Sequence, residues 1–166
     1  MGYSYNFLLH LIAFGFVSAA VIALFVLNRK LCAEQDWGKK LYIGGIMRSF
    51  AMSAHYTVTV LLLTGLGNMV NRYGLGSTWP EETWLTMKIV LFVILAVNAL
   101  SVGPRMTKKR TMLIKSVVEN NGPGNAEELL TKQNKTISIF LYIQAALLLT
   151  IVVLSVFGDG KHPGIF

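Results

Sequence analysis

Four stretches of this sequence are too apolar for the surface of a soluble domain. They cover residues 7–27, 41–70, 84–102 and 137–157. A bilayer is crossed by a helix of about 20 apolar residues, so each stretch is long enough to span it. In hydrocarbon every backbone N–H and C=O must be bonded within the protein, which strongly limits what a spanning segment can be. The sequence therefore predicts an all-α fold, an integral membrane four-helix bundle. It forms one transmembrane domain over residues 1–166, with the connecting loops at 28–40 and 103–136. Charged residues make up 14% of the chain, against about 25% in soluble domains. The second stretch is long enough to tilt or protrude. "MGYSYN" lacks a basic leader, so residues 7–27 read as a retained helix.

Charge placement sets an expected topology. The first loop carries Arg29, Lys30, Lys39 and Lys40. The third carries Arg105, Lys108, Lys109, Arg110, Lys115, Lys132 and Lys135. Basic loops stay on the cytoplasmic side, which places both termini outside (periplasmic in a bacterial inner membrane). The net charge of +7 is thus a matter of membrane orientation and calls for no nucleic acid. The lipid bilayer is the partner that composition demands. "TWPE" at 78–81 and "NAEE" at 125–128 have the pattern of a capping box, and "NNGPG" at 120–124 is a breaker. The third helix is therefore expected to continue past the membrane as an amphipathic extension, and the fourth to begin outside it. The single cysteine, Cys32, rules out an internal disulfide framework.

Polar side chains inside hydrocarbon are costly and point to function or to helix pairing. His10, Arg48, His55, Lys88, Asn98 and Gln144 fall in the apolar stretches. At the α-helical rise, His10 lies about 10 Å outside the centre of the first helix and Lys88 some 7–8 Å outside that of the third. His55 falls near the middle of the second. Arg48, Met52, His55 and Thr59 recur at steps of four, three and four, one helical face, which is expected to point into the bundle. Two transmembrane histidines suggest a haem b site, with His10 and His55 as ligands and Arg48 or Lys88 pairing with propionates. The depth difference, about 10 Å on straight helices, works against both histidines serving one iron, so a single histidine with another sixth group stays open. Met52 with His55 suits Cu(I) as an alternative. The packing alternative is a histidine that only bonds a neighbouring helix, with Arg48 and Lys88 snorkelling to the interfaces. Asn98 and Gln144 read as helix-to-helix glue. No motif for hydrolysis, phosphate binding or dinucleotide binding is present.

"WLTMKIVLFVILAVN" at 84–98 resembles the W-x-x-x-K segment of the small HemJ-type protoporphyrinogen oxidases. "LLHLIAFGF" at 8–16 resembles that family's first helix. "RSFAMSAHYTVTVLLLTG" is similar in style to the CopD copper-resistance membrane domain, and "GPR" at 103–105 resembles a short branch of the same superfamily. The resemblance implies a four-helix membrane bundle with haem b, and His10 and Lys88 as the positions carried over. In that family a histidine stands where this chain has Asn98, and His55 is outside the pattern. The leading expectation is a haem b-binding electron-transfer or accessory subunit of a larger redox or photosynthetic complex, with other membrane subunits, a quinone or a cytochrome as partner. The alternatives are a HemJ-like oxidase, a structural subunit and a CopD-like copper route. No catalytic residue can be named.

Overall fold

The computed structural model describes residues 2–74 and 83–157. "TWPE" at 78–81 lies outside the described residues. Five α-helices follow one another: α1 (Gly2–Ala33), α2 (Trp37–Tyr73), α3 (Thr83–Val97), α4 (Gly103–Val118) and α5 (Ala126–Phe157). A five-residue π-helical segment, Asn98–Val102, joins α3 to α4 without a break. Four rods therefore run up and down, each long and apolar enough to cross a membrane. No strand occurs among the described residues.

The helices run beyond the apolar stretches. The expected loop at 28–40 shrinks to residues 34–36, because α1 and α2 continue through their basic ends. Carboxylates shape this turn. Glu34 Oε1 accepts from the N–H groups of Gln35 (2.9 Å) and Asp36 (3.1 Å). Those bonds, Asp36's first, hold the Glu34 carboxyl below its ordinary pKa. Asp36 then caps α2, its Oδ1 accepting from Lys39 N–H at 2.7 Å. Lys40 is buried against Trp37, with Nζ 4.5 Å from the ring centre.

The expected extension of the third helix is α4. Pro104 has no N–H, and its ring collides with the carbonyl four residues back. The π-helical segment absorbs this, and Gly103 N–H bonds to Asn98 O. A Cβ on Gly103 would sit 3.2 Å from Phe140 Cζ, so glycine lets α5 approach the bulge. At the far end Asn120 adopts φ 58°. Asn121 N–H bonds to Ser116 O and Asn120 N–H to Val117 O, the Schellman closure, with asparagine in the left-handed position.

The core lies in two layers. Ala13, Val17, Val58 and Leu61 pack together, with Phe92 of α3 and Leu148 of α5 against them. Leu31, Met47, Ile114 and Leu130 form the second layer, near the basic ends. On α1 the inward positions Ala13, Val17 and Ala20, and again Asn28 and Leu31, follow the three-and-four spacing of a packed seam. Large apolar side chains such as Phe16, Tyr56, Leu63 and Leu149 cover the outside, where the bilayer surrounds them.

Leu31 has no exposed surface. Leu31→Ala should cost about 2–5 kcal/mol through the cavity it leaves. Leu66→Ala, on the outer surface, should cost under about 1 kcal/mol by comparison with surface changes generally. Reversible unfolding of the two variants in bicelles checks the contrast.

Candidate functional site

Two polar clusters tie the rods together, one at each end. At the end where α1 begins and α2 finishes, four residues face each other across the α1–α2 seam. Asn6 Nδ2 donates to Thr64 O at 3.0 Å and to Asn68 Oδ1 at 2.6 Å. His10 Nδ1 lies 2.9 Å from Thr64 Oγ1. Glycines let the helices close on these groups. A Cβ on Gly67 would stand 3.0 Å from Asn6 Nδ2, and one on Gly65 would stand 3.4 Å from His10 Cε1.

The direction of the His10–Thr64 bond depends on the tautomer of the ring. A threonine hydroxyl has one hydrogen to give. Thr64 Oγ1 gives it to its own helix, with Val60 O at 2.8 Å and Leu61 O at 3.2 Å. With its hydrogen placed there, it accepts from His10 Nδ1–H. The Leu61 backbone is a second hydrogen-bonding partner of the His10 ring. Lys88 of α3 brings its ammonium within electrostatic reach of the same ring and sits 6.0 Å from the centre of the Trp84 ring.

Lys88 thus acts on His10 through charge alone, and His55 and Arg48 lie elsewhere. The face expected to point inward, Arg48, Met52, His55 and Thr59, is turned outward. Arg48 and Thr59 are exposed, Met52 is 49% exposed and His55 is half-buried. The inward face of α2 is instead Gly44, Met47, Val58, Leu61 and Thr64. The polar groups on the outer face are satisfied within their own helix: His55 Nδ1 on Ala51 O and Thr59 Oγ1 on His55 O. Such groups need no partner in the bundle. His10 stands level with Thr64, nine residues from His55, or about 13 Å along the axis. Met47, one turn from Met52 in sequence, turns its sulfur inward, 3.3 Å from an Arg110 nitrogen. Met52 and His55 alone remain for a soft metal on that face. No group of three or more His, Cys, Asp or Glu side chains suited to a metal occurs among the described residues.

The second cluster was not legible as a site. Arg110, read only as one of the basic residues of the third loop, is 1% exposed. Its NH1 donates to Asn28 Oδ1 (2.6 Å) and Asn134 Oδ1 (3.2 Å). Asn28 Nδ2 in turn donates to Ser138 Oγ at 3.0 Å. One guanidinium thus joins α1, α2, α4 and α5. Sequence offered one faint signal: Met106, Arg110 and Ile114 share a helical stripe. Gln144 is buried as expected of helix-pairing residues, yet its Nε2 has no hydrogen-bond partner among the described residues.

No protein-family model matches this chain, and neither a curated protein nor a solved structure is similar to it.

Arg110→Ala strips the buried Asn28 and the half-buried Asn134 amide oxygens of their donor, at about 1–3 kcal/mol for the buried one. The melting midpoint in detergent should fall well below that of Arg105→Ala, whose side chain is exposed. Equal midpoints would show that the buried network contributes nothing.

Proposed function

We propose that this chain is a haem b-binding, multi-pass membrane subunit that passes electrons within a larger redox complex, and that His10 would hold the haem iron. The observation that carries this reading is the 2.9 Å contact between His10 Nδ1 and Thr64 Oγ1. Histidines that bind metals almost always donate their other N–H to an acceptor, which fixes the ring and raises its basicity. In this reading Thr64 Oγ1 plays that part for Nδ1, and Nε2 would be the atom that binds iron. Lys88 supplies the positive charge that a propionate needs. When bound, the haem would supply one-electron chemistry. The chain's own part is to hold the ring, present the lone pair and place a cation beside it.

His10 and Lys88 are also the two positions carried over from the HemJ-like pattern. That favours oxidation of a porphyrinogen as the second reading, with the same two residues in use. His55 and Arg48 lie on the lipid-facing side, so in this proposal they do not ligate the group held by His10. A copper route through Met52 and His55 would use that outer face instead. Positive charge at the α1–α2 and α4–α5 turns supports a bacterial inner membrane, with that end cytoplasmic and both termini outside. A quinone or cytochrome is the proposed electron partner.

The protein purified in detergent, reduced with dithionite and compared with its air-oxidised form, should show sharp Soret and α bands. His10→Ala should abolish them and His55→Ala should retain them. Thr64→Val should weaken haem retention about 10- to 100-fold. A flat spectrum from protein isolated with its native partners contradicts the haem reading, and bands lost only in His55→Ala contradict the assignment of the ligand.

A further inference from the structure

The π-helical segment does more than absorb Pro104. It opens a groove of about 280 Å³ between the third rod and α5. Val102, Met106, Phe140 and Ile143 form its apolar walls, and Asn98 and Thr136 are its polar members. Ile139 and Ile143 are about half exposed, so the groove opens outward to the bilayer. Along α3–α4 it extends from residue 98 to residue 106, about 12 Å at the helical rise. A partner helix would need a longer seam, whereas a lipid chain fits this length.

The end of the groove nearest the α4–α5 turn is ringed by cations. Lys109 lies one turn beyond Met106. Lys132 lies one turn before Thr136, and Lys135 one turn before Ile139. All three lysines are exposed. Among the described residues the one ion pair joins Lys115 to Glu119, so none of the three is neutralised by a carboxylate. Apolar trough and basic rim together have the chemistry of one ligand. Basic clusters between helices at the membrane surface take anionic lipid headgroups.

We infer that this groove is a binding site for an anionic phospholipid, its acyl chain against Val102, Phe140 and Ile143 and its phosphate on Lys109, Lys132 and Lys135. The site is separate from the His10 cluster and does not depend on haem.

The test is the melting midpoint of the full chain in detergent, titrated with phosphatidylglycerol or with phosphatidylcholine of the same chains. Phosphatidylglycerol should raise the midpoint at about tenfold lower concentration, the factor that about 1.4 kcal/mol of preference gives. The triple variant K109Q/K132Q/K135Q should lose that preference while melting normally in detergent alone. Ile143→Trp, which fills the groove, should lose it too. If Ile143→Trp fails to fold, the lysine variant decides by itself, since its three side chains are on the surface. Equal stabilisation by both lipids overturns the proposal, as does a preference that survives in the lysine variant. Glycerol phosphate without acyl chains should have no effect. If it matches the lipid, the groove has no part and the site is overturned.

Discussion

The three-residue turn between α1 and α2 governs the rest of the bundle. With residues 34–36 alone between the two helices, α2 must return directly along α1. Glu34 and Asp36 hold the turn by accepting from backbone N–H groups that would otherwise lack partners. The register is then fixed for the whole length. Asn6 meets Asn68 and His10 meets Thr64, four residues along one helix matched by four back along the other. A shift of one residue would rotate Thr64 away and leave His10 without its acceptor.

Inside a bilayer, apolar surface gives no drive for helices to associate, because lipid is as apolar as leucine. Close packing and polar ties must do that work. The ties here sit at the two ends, His10 with Thr64 and Asn6 with Asn68 at one, and Arg110 with Asn28 and Asn134 at the other. Between them the seam is small and apolar, with Ala13, Val17 and Ala20 on α1 and Val58 and Leu61 on α2. The π-helical segment lies in the third rod, where the helix must pass both Pro104 and the approach of Phe140.

The four rods were legible because run length and hydropathy decide spanning segments almost alone. The electrostatic influence of Lys88 on His10 fits their similar depth, which can be counted residue by residue from each end. Rotation about a helix axis is harder. A polar stripe was read as the inward face of α2, yet His55 and Thr59 satisfy themselves on the carbonyls of Ala51 and His55, and so can face lipid. What turns α2 is the spacing of Gly44, Met47, Val58 and Leu61, which shows no polarity to read. Arg110 was hidden for the opposite reason. It stands among six other basic residues of its segment, all exposed, and nothing local marks it as the one that folds inward. Thr64 went unnoticed because its role depends on a partner 54 residues away.

The contact between His10 Nδ1 and Thr64 Oγ1 is the feature on which the functional proposal rests. The sequence has three histidines, His10, His55 and His162, so each ring can be resolved. Nitrogen-15 NMR of histidine-labelled protein in lipid, free of any cofactor and assigned with His10→Gln, reads the protonation of each ring nitrogen directly. The account predicts a neutral His10 ring protonated at Nδ1 and unprotonated at Nε2. A proton on Nε2, alone or with Nδ1 also protonated, would contradict it.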